Sequence, residues 1–553
     1  MKKLVLLALV LIVSVSLFAG GATEAAAPAA AAEWKAMGTP LADVRIRQAL
    51  RYAIDMETIV DTIFEGKAQL AVSMTSPGSW LADGLNDYAY NPEMAKKLLK
   101  EAQWPSDYTL DVVYYYGDQQ TVDLMSIVQQ YWAAVGVKAQ FRKLEGDLAA
   151  QLWVPPADRV NGPSVVKWDL AYAAVAALAE HEFYNRFDSS ASNNSSLPKK
   201  PALDALIAKT NATADVEKQK VAFKAVQKEI SENMYNMPLY HQLSFIYTSD
   251  KIDLKGGKLG NDQFSYDKNL LNWTTTRPDG MMYTNGGPEE FYQMHAVNPG
   301  LFLYQEILFD RLVNADENLT PTDGLLAKNY TVSADGMEMV FELRSGVTWH
   351  DGKPFTAEDV RFTIEYSLQI PGLNAVAVTT YSSIKGAKDF LDKKTDHISG
   401  IAISGNTVKI TFDKLDPNAL LTFSQWPVLP SHLLAGSNPV TCQQNAFWQK
   451  PVGTGPFKVG QTVLGNYGIL ERNNAYFLKG TGNISKIFMH ANGENDPNLQ
   501  KNAEGGKIDY AWSKSVQDAK GMAGIKGMTV NPVNIRYTRL FYINQYPHPA
   551  NIK

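Results

Sequence analysis

The sequence predicts an α/β protein with one large α/β lobe and a smaller α+β lobe. Three features carry that expectation: a strand, helix, strand unit from 108 to 143, amphipathic helices recurring as far as residue 234, and hairpins flanking a capped helix after residue 315. With 553 residues, 45% of them hydrophobic, the chain can bury more than one core.

The elements follow in order. Lys2 and Lys3 precede an apolar run from Leu4 to Phe18 and small residues from Ala19, so 1–22 reads as a secretion signal. Gly21 stands where a lipid-bearing cysteine would be, which predicts a released protein, with an uncleaved anchor as the alternative. Residues 23–36 read as a low-complexity spacer. From 43 to 65, Val44, Ile46, Leu50, Ile54, Ile59 and Ile63 recur mostly at helical spacing, giving a helix with one buried face. Nothing N-terminal of it could supply the core that such a face needs.

A helix with proline in its first turn is expected from Pro92 to Gln103, a strand at 108–116, a helix stopped by Gly136, and a strand from Lys138. Buried strand character returns at 167–176, followed by a polar loop at 189–200, two helices to about 234, and a closing strand from Asn236. One hairpin turns at Ala334-Asp335-Gly336 and another at Gly405-Asn406. Between them Thr356 caps a helix that carries Glu358 and Asp359 in its first turn.

Composition narrows the function. Fifty-two basic and 57 acidic residues leave a net charge of -5 with no basic block, which argues against nucleic-acid binding. A single cysteine, Cys442, permits no internal disulfide and no cysteine zinc site, and it reads as a small core residue. His350-Asp351 reads as a turn rather than a metal or charge pair. "PVGTGPF" lacks the ending of a phosphate loop. Glu289, Glu290, Glu180 and Glu182 have no spacing that fixes a carboxylate pair, so a secreted carbohydrate hydrolase is the weaker reading. No cofactor and no metal site are expected. Eleven Trp and 26 Tyr supply flat faces suited to an amphiphilic ligand in a cleft.

The stretches "LLAKNYTVSADGMEMVFELRSGVTWHDGKPFTAEDVRFTIEYSL", "PVGTGPFKV", "LERNNAYF" and "KIDYAW" resemble the first half of the family 5 solute-binding proteins of ABC transporters. "DVRIRQALRYAIDMETIVDTIFEG", "NPEMAKKLLKEAQWP", "WDLAYAA" and "NMPLYHQ" resemble that family's second half, so the order is inverted and resembles a circular permutant. The resemblance implies a periplasmic-binding-protein-like fold of type II, cluster C, and a non-enzymatic, monomeric, periplasmic or extracellular protein. Such a protein closes over an oligopeptide, dipeptide, nickel chelate or oligosaccharide and delivers it to a membrane permease. It implies lobes at 37–240 and at 241–314 with 451–546, and an accessory lobe at 315–450. Implied cleft positions are His295, Val297, Asn298, Tyr381, Tyr240 and His241, with Trp168, Tyr172 and Trp426 as stacking candidates.

Peptide binders of this family carry an aspartate shortly after the "WDL" strand. Here Ala176 stands near that position and Glu180 is the first acid, which weights the ligand toward an oligosaccharide or blocked compound, with a peptide anchored on Glu180 as the alternative. If Thr274–Arg277 is the fused junction of a permutant, it should be an exposed linker, and Pro547 should lie near Pro40. A buried Thr275 would count against both the junction and the hinge mechanism.

Overall fold

The computed structural model describes residues 34–257, 259, 268–288, 290–292, 303–316, 319–491 and 496–547. The expected signal, most of the spacer, and His295, Val297 and Asn298 lie outside these residues.

The opening helix is two helices, Val44–Tyr52 and Met56–Thr62. Asp55 divides them: its carboxylate accepts from the Thr58 N–H at 3.0 Å and from the Thr58 hydroxyl at 2.7 Å, so it caps a new helix. Ile46, Leu50 and Ile59 enter a core shared with Leu170, Tyr172, Phe541 and Ile543. The missing core is therefore supplied partly from the far end of the sequence. The spacer boundary also shifts, because Trp34–Met37 is a helical turn and Trp34 Nε1 donates to the Ala102 carbonyl at 2.9 Å.

In the first lobe the strands are β1 (Ala68–Leu70), β2 (Thr109–Tyr114), β3 (Lys138–Lys143), β4 (Leu170–Ala176) and β5 (Asn236–Ser249). Next come β6 (Ile252–Asp253), β7 (Thr274–Thr275), β8 (Met281–Gly287), β9 (Val313–Ala315) and β10 (Pro321–Gly324). A separate four-stranded sheet comprises β11 (Ala327–Val332), β12 (Glu338–Leu343), β13 (Ile401–Ser404) and β14 (Thr407–Thr411), in the order β11-β12-β14-β13. Both of its hairpins turn where the sequence predicts, with Gly336 at φ +71° and Gly405 at φ +58°. The helix Ala357–Ser367 between them starts on Thr356, whose N–H donates to Asp359 Oδ2 at 2.8 Å.

The last strands are β15 (Phe457–Val463), β16 (Tyr467–Arg472), β17 (Lys486–Ala491), β18 (Tyr510–Ser513) and β19 (Met528–Ile543). One 11-stranded sheet runs β15-β16-β17-β8-β18-β5-β19-β4-β2-β3, with β1 also on β5. Both large lobes are thus built on one sheet, joined through β5 and β19.

The lobe boundaries differ from those implied by the resemblance. Tyr240 to Gln242 pair with β1, whereas Phe245 to Thr248 pair with β18, so β5 belongs to both lobes. The second half of β19, from Tyr537 to Ile543, pairs with β4 and so lies in the first lobe rather than the second. Ile246, Leu270 and Trp273 pack with Tyr510 in the core of the second lobe.

The exposed-linker expectation fails. Thr274 and Thr275 pair with Asp253 and Ile252, Thr275 is 5% exposed, and its N–H donates to Asn483 Oδ1 at 2.7 Å. Arg277 is held by Asp509, a carboxylate whose side chain is fully buried. Backbone and side chain alike have partners here, so the segment is part of the lobe. The proximity expectation fares differently: a Cβ on Gly38 would lie 3.5 Å from Pro547 Cβ. The burial of Thr275 counts against the fused junction and the hinge argued from it; what the pairing shows is that β5 and β19 each run through both lobes.

His350 has a structural task, as the turn reading predicts. Its Nδ1 accepts from the Gly453 N–H at 3.1 Å and its Nε2 donates to the Gly455 carbonyl at 3.0 Å, fastening the accessory lobe to the turn before β15. Cys442 is buried, and burial pushes its thiol pKa up.

Candidate functional site

Strand β19 pairs with β5 from Met528 to Asn534 in the second lobe and resumes at Thr538 in the first. The irregularity at 535–537 falls where both strands pass between lobes, and a bulge bends and twists a strand at such a point. Past Tyr172, β4 keeps β19 on one side, while its pairing with β2 covers only Leu170 to Tyr172. The register sets Ala174 opposite Arg539 and Ala176 opposite Tyr537. Opposed residues project to one face, so two alanines leave room over the two large side chains.

Arg539 and Tyr537 border a cleft of about 860 Å³. Tyr116, Tyr240 and the helix start at Asp118–Thr121 line it from the first lobe, Lys514–Gln517 from the second, and Gln242, Tyr537 and Arg539 from the hinge strands. Asp118 caps the helix Gln119–Ala134, accepting from the Thr121 N–H and hydroxyl, each at 2.8 Å. Across the cleft, Lys520 Nζ of the second lobe lies 3.1 Å from Glu65 Oε1 of the first, and this contact lowers the Glu65 pKa.

A second cleft, of about 580 Å³, follows Ala174–Ala176, the segment from His181 to Asn193, and Ala375, Val376 and Thr379 of the accessory lobe. Ala176, at the position noted above for a missing amine anchor, lies on it. Glu180 lines neither cleft: it is buried, the Thr75 hydroxyl donates to it, and burial raises its pKa. Glu182 reaches the second cleft, but its Oε2 accepts from the Leu178 and Ala179 N–H groups at 2.6 and 3.0 Å.

The residues singled out in the sequence divide into two groups. Tyr172 and Tyr240 come together, their hydroxyls 2.8 Å apart, beside Arg539. Burial raises the pKa of both, so both are neutral phenols. The rest are core in this arrangement. Trp168 is 1% exposed, with Nε1 donating to the Gln151 carbonyl at 3.1 Å. Tyr381 packs near Phe423, and Trp426 is 3% exposed with no acceptor for its Nε1 among the described residues.

His241 is buried with Nδ1 2.9 Å from Thr538 Oγ1, and that hydroxyl donates to the Met74 carbonyl at 2.7 Å. The hydroxyl proton being used, Nδ1 is the protonated ring nitrogen. Burial lowers the His241 pKa from 6.5 to about 4. The unfolded chain therefore binds more protons between these values, and the stability contributed by neutral His241 is full above pH 6.5 and lost as pH falls toward 4. Urea denaturation should show the native protein losing ~2 kcal/mol more than His241→Gln between pH 7 and pH 5. Parallel losses would show that His241 is solvated.

Arg539, Tyr116, Tyr537 and Lys514 were missed by the sequence reading. A signal existed for Arg539: it is the one charged side chain in the run "TRLFYI".

Two lobes on a shared sheet, crossed by two hinge strands with clefts beside them, define a two-lobed binding-protein fold. The chain belongs to the bacterial extracellular solute-binding proteins, family 5, whose model matches residues 21–181 and 322–553. A Brucella ovis protein named for ABC transporter peptide binding is 31% identical over 180 residues, 32% of this chain and 31% of that protein. The dipeptide-binding protein of Escherichia coli is 35% identical over 106 residues, 18% of this chain and 20% of that one. These matches thus span a third or less of the relatives' lengths. Among solved structures, NikZ of Campylobacter jejuni, in complex with Ni(L-His), is 25% identical, with a TM-score of 0.35 over 42% of this chain and 43% of that one. Among the described residues no helix is long and apolar enough to cross a membrane.

Proposed function

We propose that this chain captures a small solute in the cleft beside Arg539 and delivers it to the membrane subunits of an ABC importer. It acts outside the cytoplasmic membrane, as a monomer and without catalysing a reaction. One observation carries the reading: the larger cleft has walls from both lobes and a floor made by the two strands that join them. Rotation about two strands opens or closes such a cleft at little packing cost, and a solute bound to both walls favours the closed form. The relatives' names, which refer to peptides, weigh toward a peptide, while alanine at position 176, where the peptide binders' aspartate is expected, keeps an oligosaccharide as the second reading.

The Glu65–Lys520 pair offers the test. With both changed to cysteine, a short bismaleimide should join the lobes in higher yield when a ligand from a panel of peptides and oligosaccharides is bound, because Cys442 is buried and does not compete. The same ligand should raise Tm by mass action and be recovered unaltered. Hydrolysis of a panel sugar would replace the binding-protein reading with the hydrolase one.

A further inference from the structure

We propose that Arg539 is the anion anchor of the interlobe cleft and that the captured solute carries a carboxylate beside a flat apolar body. This rests on the cleft being the solute site.

Arg539 is 8% exposed, yet among the described residues no carboxylate pairs with it. Only its Nε finds a protein acceptor, Gln242 Oε1 at 3.0 Å, and the buried Nη1 has none. Arg47, also buried, donates to the carbonyls of Leu41, Ala42, Asn233 and Met234, whereas the half-buried Arg186 and Arg472 each carry one buried Nη without an acceptor among the described residues. A guanidinium that is always charged and left without a counterion is expensive to bury.

Aromatic faces hold it in place. The guanidinium carbon lies 3.8 Å from the Tyr116 ring centroid, 5.1 Å from that of Tyr537 and 5.9 Å from that of Tyr172. Ring faces stabilise the cation without using its N–H groups, and with Nε on Gln242 and Nη1 buried it is Nη2 that is left for a carboxylate oxygen from outside. Lys514 Nζ, from the opposite lobe, is 4.9 Å from the Tyr537 centroid, so the two walls bring positive charge to one ring.

Nearby acids are committed elsewhere. Asp118 caps its helix through both oxygens, Asp123 accepts from the Gln119 side-chain amide at 2.8 Å, and Glu65 pairs with Lys67 and Lys520. Tyr116 and Tyr537 line the same cleft as Arg539, so a planar group bound to the guanidinium can lie beside their rings. A neutral sugar would leave the guanidinium unmatched on closure. An acidic ligand would neutralise it.

The test uses the full chain and paired probes, each an acid and its uncharged counterpart. One pair is N-acetyl-Phe-Tyr and its C-terminal amide, the other digalacturonate and its methyl ester. Calorimetry should find the acid of at least one pair bound about 10- to 100-fold tighter than its partner, and the pair that does so identifies a peptide carboxylate or a sugar acid as the source. R539M should lose that preference while raising the Tm of the ligand-free protein, since it removes an uncompensated buried charge. R539K, which keeps the charge and loses the fork, should fall between. Equal binding of acid and neutral probes with lobe crosslinking intact overturns the anchor alone, as does a fall in ligand-free Tm for R539M. Failure of every probe to bind or to change crosslinking overturns the anchor together with the cleft reading.

Discussion

Arg277→Met is expected to destabilise the second lobe by about 3–5 kcal/mol, read from the urea midpoint. Arg277 Nε and Nη2 donate to Asp509 at 2.8 and 3.0 Å, and Asp509 also accepts from the Ser249 hydroxyl at 2.8 Å and the Tyr283 N–H at 2.9 Å. One fully buried carboxylate thereby ties β5, β8, β18 and the segment after β7 together. Removing the arginine strands that charge, whereas its neighbours cannot replace a guanidinium. Arg277→Lys should recover part of the loss, because it returns the charge without the second hydrogen bond. A loss below about 1 kcal/mol for the methionine variant would mean that water reaches Asp509.

Trp426→Ala should cost about 3–5 kcal/mol and leave the affinity of the folded protein unchanged. The ring is 3% exposed in the core that joins the accessory and second lobes, far from a stacking role at either cleft. Its Nε1 has no acceptor among the described residues, so Trp426→Phe forfeits none of their hydrogen bonds and should cost much less than alanine. Chemical denaturation and calorimetry on the same samples check both halves. Reduced affinity at unchanged stability would instead place Trp426 against the solute.

Local pattern was legible. Helix caps, hairpin turns and the strand at Leu170–Ala176 could be read because each is decided within a few residues of itself, by a side-chain oxygen, a glycine or an apolar alternation. Asp55 shows the limit of periodicity: the apolar spacing continued through it, while its carboxylate ended one helix and began another. The cleft was less legible, since aromatic content points to many rings and only pairing chooses among them. Tyr172 and Tyr240 meet because β19 lies between β4 and β5, and Trp168, on a neighbouring stretch, packs into a separate core. Arg539 was overlooked for the same reason. Its lack of a counterion exists only after three strands from distant parts of the chain have come together.

The position of β19 also governs how the molecule can be made. It lies between β4 and β5 rather than at an edge, and His241 meets Thr538 across 297 residues of chain. Until residues 528–543 have left the ribosome, β4 and β5 each present an open edge, and neither large lobe can complete its sheet. Closing so long a loop is slow, and unpaired strands are where nascent chains associate wrongly. Folding of both lobes should therefore wait on one late strand, which sets a minimum length of chain that must be made before either sheet can close.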